Sequence, residues 1–170
     1  KITNDDVLQA FMNTSKEQFI SEDKINICYS DQDISIKDQR GYLKNLHLAQ
    51  ILHFADIKNN DKVLHIGGLT GYLSVLIAKL CNKIYVTDND QFFIDSIIKN
   101  FSNNKVDNGK VLKEEFSEGL KSEGPYDLII IDCPQYNFNL DLLNQVNVGG
   151  RIVYIEKIND ELSKAYKMIK

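Results

Sequence analysis

Proline and glycine are scarce: two prolines and nine glycines in 170 residues exclude a collagen-like or Pro/Gly-rich disordered chain. The three cysteines, Cys28, Cys81 and Cys133, are odd in number and far apart. They support neither a disulfide framework nor a CxxC redox or zinc motif, and reduced core thiols in a cytoplasmic protein are the expectation. His47, His53 and His65 lack HExxH spacing, so no metal site is expected. No apolar run approaches the roughly 18 residues that span a bilayer. The N-terminal segment carries Asp5 and Asp6 and has no apolar signal-peptide core, so no membrane partner is expected. A basic excess is also missing. The formal net charge is −4, the pI is about 5.4, and the lysines are interleaved with acids, which argues against nucleic acid as a partner.

The apolar share is 43% and the charged share 26%, as in an ordinary globular protein. The length suits one domain, expected over 1–170, with an N-terminal helical segment over 1–56 and a strand–helix core over 61–170. No internal repeat or low-complexity linker interrupts it.

Residues 3–20 read as an amphipathic helix, with Val7, Leu8, Phe11 and Met12 on one side and Asn4 or Thr3 as its cap. Residues 34–36 alternate as a short extended piece. Leu43, Leu46, His47, Ile51 and Phe54 form a helical stripe ending near Asp56. Residues 63–66 then form a short strand closed by Gly67 and Gly68, and Thr70 and Gly71 open a helix with Leu73, Leu76, Ile77 and Leu80. A second strand, 83–87, ends at Asp88 and is followed by a helix over 91–100. Val111 and Leu112 are a weak third strand. Residues 127–132 (DLIIID) are apolar at consecutive positions, as in a parallel strand buried on both faces. A helix with Leu140, Leu142, Leu143 and Val146 precedes Gly149 and Gly150, and 151–155 is a further strand. Residues 160–170 fit either a helix or a last strand. Strands alternating with helices predict an α/β fold with right-handed crossovers and a mostly parallel sheet flanked by helices. Ligands of such sheets sit beyond the carboxyl ends of the strands.

The loop HIGGLTGY, His65 to Tyr72, follows a strand and opens a helix. About twenty residues on, Asp88 ends the next strand, where a carboxylate can accept both hydroxyls of a ribose. Together these describe a nucleoside-binding loop. The alternative is a glycine turn with Asp88 as a helix cap. Asp132, in Asp-Cys-Pro, reads equally as a substrate-side carboxylate or a capping acid. Glu114 and Glu115 follow the weak strand, where an acid can meet an adenine amine or simply face water. Tyr72 beside the turn reads as a core aromatic more than a ligand cover.

The segments DKVLHIGGLTGY (61–72), IYVTD ending at Asp88, PYDLIII (125–131) and LLNQVNVGGRIV (142–153) resemble the protein-L-isoaspartate O-methyltransferases. VLQAFMNTSKEQFI and CYSDQDISI precede them in the order that family shows, so the likeness runs from about Val7 to Val153. It implies a Rossmann-like class I methyltransferase fold with an N-terminal helical extension, S-adenosylmethionine as cofactor, and an isoaspartyl residue in a damaged peptide or protein as methyl acceptor. It assigns the cofactor to Gly67, Gly68, Gly71, Asp88 and Glu115. It also implies members that run on past this chain's end with a further strand. The sequence departs from the family pattern at three places. His65 replaces the acid before the loop and Leu69 replaces its central glycine, a change expected to strain the backbone and crowd the ligand. Leu43-Lys44-Asn45 replaces a Ser-x-Pro segment, leaving Leu43 where the family has a hydroxyl. Two further readings stand beside the enzyme: a catalytically degenerate binding protein of the same fold, and a methyltransferase for another small acceptor.

Overall fold

The computed structural model describes residues 2–159 and 162–170. Helix α1 (Asp5–Met12) starts at Asn4, whose side chain accepts from the Val7 N–H at 3.1 Å. It is about half the length that the sequence pattern suggests. Asn13, Thr14 and Ser15 end it, being residues whose side chains compete for the backbone, and a short 3-10 turn, Lys16–Phe19, follows. Strands β1 (Ile34–Lys37) and β2 (Arg40–Tyr42) form an antiparallel hairpin, of which the pattern showed only the first arm. Helix α2 (Asn45–Ala55) buries Leu48, Ile51, Leu52 and Ala55, whereas Leu46 and Phe54 of the expected stripe are exposed. The true core face lies one step round the helix.

The main sheet contains β3 (Lys62–Ile66), β4 (Lys83–Asp88), β5 (Gly109–Lys113), β6 (Tyr126–Gln135), β7 (Val146–Lys157) and β8 (Ser163–Ile169), in the order β5-β4-β3-β6-β7-β8. Every pairing is parallel except β7 with β8. Helices α3 (Tyr72–Ala78) and α4 (Gln91–Asn103) make the crossovers. The chain runs outward from β3 to β5 and returns to β6 on the other side of β3, so the loops after β3 and β6 diverge at a topological switch point.

Alternation along the strands divides the core. Val63, Ile84, Val86, Leu128, Ile130 and Val153 pack with the four α-helices on one face. Leu64, Ile66, Tyr85, Ile129, Ile131 and Ile152 pack on the other with Leu120, Tyr126 and Leu142. The helix expected around Leu140–Val146 is a 3-10 turn, Leu140–Gln145, and β7 starts earlier than the pattern suggests. β8 explains this. Gly149 N–H donates to the Lys170 carbonyl at 2.8 Å and Lys170 N–H to the Gly150 carbonyl at 2.9 Å, drawing the Val146–Gly150 stretch into the ladder. The tail 163–169 is therefore strand. Asp160 and Glu161, where the undecided segment begins, lie outside the described residues. Among the described residues no helix is long and apolar enough to cross a membrane.

Candidate functional site

The loop after β3 turns beneath the carboxyl end of β4. Gly67 N–H donates to the Thr87 carbonyl at 2.8 Å. Gly67 has φ +86°, and a Cβ there would meet Cys133 Sγ at 2.7 Å, so a side chain is excluded twice over. Gly71, at φ +95°, starts α3, and Gly68 lies against Val86 and Ile97. Leu69 takes φ +50°, the left-handed conformation that costs a leucine about 1–2 kcal/mol. Its side chain is buried in the helical-face core while also lining the cavity beyond the loop. Tyr72 is a core residue, packed against Phe11, Phe19 and Tyr42.

That cavity, about 480 Å³, is bounded by the β1–β2 hairpin, Gly67, Leu69, Phe116 and the Asp132–Gln135 stretch of β6. Asp88 is fully buried at the end of β4. Both its oxygens are taken: Arg40 Nη1 donates to Oδ1 at 2.9 Å and Nη2 to Oδ2 at 2.6 Å. Leu69 N–H adds 3.3 Å to Oδ2 and Asp90 N–H 3.0 Å to Oδ1. A carboxylate has about four acceptor sites, and four donors fill them. The Arg40 guanidinium lies 4.4 Å from the Phe93 ring centroid and 4.9 Å from Phe116. Burial opposes its charge, but the hydrogen bonds and charge of Asp88 outweigh that and raise its pKa above the ordinary arginine value.

The second carboxylate, Asp132, accepts from His65 Nε2 at 3.0 Å, and His65 Nδ1 meets Ser74 Oγ at 2.8 Å. His65 and Ser74 are fully buried, so the relay braces β3, β6 and α3 and no substrate reaches Ser74. Asp132 also borders the cavity. Glu115 is exposed and points toward Asn89, at 3.5 Å. Glu114 is half-buried, and its N–H donates to the Asp88 carbonyl. Partial burial, then the Asp132 charge, pushes the Cys133 thiol up to about 12, so it is no nucleophile near neutral pH. Among the described residues no cluster of three His, Cys, Asp or Glu side chains could hold a metal ion.

Leu43 lines this cavity and a second groove of about 680 Å³ that also touches His47, Phe54, Pro134 and Tyr166. Asn45 opens α2 and accepts from the buried Lys16 Nζ at 2.8 Å. The structure thus gathers Gly67, Leu69, Asp88, Asp132 and Leu43 at one sheet edge and leaves Glu115 facing outward. Reading the sequence missed Arg40 and Phe116. The signal for Arg40 was its rarity, since arginine occurs only twice in the chain.

The model of the family described as Protein-L-isoaspartate(D-aspartate) O-methyltransferase matches residues 1–169. The chain belongs to that family. The Brucella anthropi protein-L-isoaspartate O-methyltransferase is 26% identical over 147 residues, covering 86% of this chain and 68% of that protein. The Ignicoccus hospitalis protein of the same name is 25% identical over 172 residues, covering 99% and 82%. A Plasmodium falciparum structure named as a protein-L-isoaspartate O-methyltransferase, in complex with S-adenosyl-L-homocysteine, superposes with a TM-score of 0.84 at 19% identity, covering 99% of this chain and 84% of that one. Another structure of that name superposes at 0.82 with 15% identity, and this chain spans 56% of its length. The fold is that of the class I methyltransferases, and the family's cofactor is S-adenosylmethionine. The glycine loop, the strand-end carboxylate and the cavity volume suit such a nucleoside. The acceptor set does not: with Arg40 in place, Asp88 has no lone pair left for ribose hydroxyls.

Proposed function

We propose that this protein methylates the side-chain carboxylate of isoaspartyl residues in damaged polypeptides, using S-adenosylmethionine, in the cytoplasm and without a nucleic-acid substrate. The observation that carries the reading is the bond from the glycine loop to Asp88, Leu69 N–H to Oδ2 at 3.3 Å, beside a cavity that Gly67 and Leu69 line, in a chain matched by the family along 1–169. Gly67, Gly68, Gly71 and Asp88 are the proposed cofactor contacts; the exposed Glu115 is the weakest of the residues that the family assigns.

When bound, the cofactor supplies an electrophilic methyl group. An acceptor carboxylate, with a free pKa of about 4, is ionised at neutral pH and needs no general base, which agrees with a site whose cysteine is held protonated and whose histidine is locked in a buried relay. The chain's part is positioning, which is worth several kcal/mol when the geometry is right. Leu43 sits where the cavity meets the groove beside α2 and β8, the place for an acceptor peptide. It supplies apolar contact and no hydrogen bond to orient a carboxylate, so slow turnover is expected.

The test is incubation with labelled S-adenosylmethionine and two peptides, one isoaspartyl and one with normal aspartate. Base-labile methyl ester on the isoaspartyl peptide alone supports the reading. No ester on either, with cofactor shown to be bound, overturns it in favour of a binding protein of the same fold.

A further inference from the structure

Hairpin β1–β2 closes over the cavity by its tip. Lys37 and Arg40 pair across a two-residue turn, and both reach the β4–α4 turn: Arg40 to Asp88 through two hydrogen bonds, Lys37 to Asp90 through an ion pair. Each cation also lies against a phenylalanine of α4, Arg40 at 4.4 Å from Phe93 and Lys37 at 5.4 Å from Phe92. The base of the hairpin is fixed separately, by Tyr42, whose hydroxyl accepts from Tyr72 N–H at 2.9 Å and meets Thr70 Oγ1 at 2.8 Å. Between tip and base lies Gly41.

The tip is not an optimised structural contact. Of its two turn residues, Asp38 takes φ +50°, where such turns favour Asn or Asp, but Gln39 takes φ +62°, where they favour glycine. Arg40 Nε is buried without a hydrogen-bond partner, the kind of orphan that folded proteins seldom leave. The cations therefore hold a strained turn down over the carboxylate that a ribose would need.

We propose that Arg40 sets the cofactor affinity of this protein: it is a self-supplied occupant of the Asp88 site, and the nucleoside binds only as the Lys37–Arg40 tip lifts about Gly41. This rests on the methyltransferase reading above. It also predicts that the chain binds its cofactor more weakly than the pocket alone permits, because the competent state is only a fraction of the ensemble.

Calorimetric titration with S-adenosyl-L-homocysteine tests it on the wild type, Arg40→Ala and Arg40→Lys, with circular dichroism to establish that each is folded. Arg40→Lys keeps the positive charge beside buried Asp88 but cannot grip it with a planar fork, so it covers the case in which Arg40→Ala fails to fold. The expected result is binding at least tenfold tighter in Arg40→Ala, several-fold tighter in Arg40→Lys, and tighter by a smaller factor in Lys37→Ala. Wild-type binding as tight as in the folded Arg40 variants overturns the latch and leaves the methyltransferase reading standing. No binding by any of the proteins at millimolar ligand overturns both.

Discussion

The chain has eighteen lysines and two arginines, and the two arginines do opposite things at opposite ends of the sheet. Arg151, on β7, spends all three of its nitrogens. Nε donates to the Ala55 carbonyl at 2.7 Å, Nη1 to the Asp127 carbonyl at 3.2 Å, and Nη2 to the Asp56 carbonyl and Asp61 Oδ2, both at 2.6 Å. It ties the end of α2 to the starts of β3 and β6. Arg40 makes an equally good fork with Asp88 but leaves Nε unpaired, hangs from a strained turn, and faces the cavity at the switch point. A planar fork suits buried carboxylates better than an ammonium does, which accounts for both sites keeping arginine in a lysine-rich chain. The difference lies in what else the side chain holds: Arg151 staples backbone, whereas Arg40 covers a site.

Loss of Arg151 has the largest expected effect. Arg151→Met strands Asp61 and three carbonyls, and removing one partner of a buried pair costs about 3–5 kcal/mol. Chemical denaturation should show a loss of that size, with cofactor affinity unchanged in whatever protein remains folded. Arg40→Ala also strands a buried carboxylate and should lose stability too, but with cofactor affinity rising.

Asp88 carries the next effect. Adding Asp88→Ala to Arg40→Ala should cancel the gain in S-adenosyl-L-homocysteine affinity. The loss expected is about 1.5–3 kcal/mol, the range for hydrogen bonds to a charged group, read by calorimetry. A double variant that binds as tightly as Arg40→Ala would place the ribose elsewhere.

The third concerns the acceptor side. Leu43→Ser restores a donor where the cavity meets the groove, and single-turnover rates on the isoaspartyl peptide should rise about tenfold, equivalent to roughly 1.4 kcal/mol in the barrier. The effect should add to that of Arg40→Ala under limiting cofactor, because the two residues act on different ligands.

A further effect, read in the pH dependence of stability, belongs to Lys16. Lys16 is fully buried, bonds Asn45 Oδ1 and lies 5.5 Å from the rings of Tyr42 and Tyr72. Burial lowers its pKa from 10.5 to about 8. Below about 8 the group is charged in both folded and unfolded chains. Between 8 and 10.5 the unfolded chain holds a proton that the folded one has released, so this group's contribution to stability rises with pH across that window. Stability measured from pH 7.5 to 10 should climb more in the wild type than in Lys16→Met, and the two curves should converge at the alkaline end.

How much of this was legible in the sequence depended on the range of the interaction. β3, β4 and β6 carry consecutive apolar residues, β3 running into Gly67 and β4 ending on Asp88, so their existence and parallel sense followed from local pattern, although β6 runs past the expected end at Asp132 to Gln135. The length of α1 did not, because apolar periodicity continues past Asn13 while the backbone competition of Asn13, Thr14 and Ser15 ends the helix. Nor did the Leu140–Gln145 turn, where helical spacing of leucines lost to the ladder that Lys170 completes with Gly149 and Gly150. Within the site, Gly67, Gly71, Asp88 and the strain at Leu69 were local features. The Arg40–Asp88 pair spans 48 residues, and β2 is three residues long, so no periodicity announced it.

Because the chain has only two arginines, its arginine Nε–H region in a nitrogen–proton correlation spectrum contains two side-chain signals, and titration with S-adenosyl-L-homocysteine compares them in one experiment. As the ligand saturates, the Arg40 signal should shift and its hydrogen exchange with water should quicken, while the Arg151 signal stays in place. Saturable binding with both signals unmoved would contradict the account, because the ligand would then have entered without lifting Arg40 from Asp88.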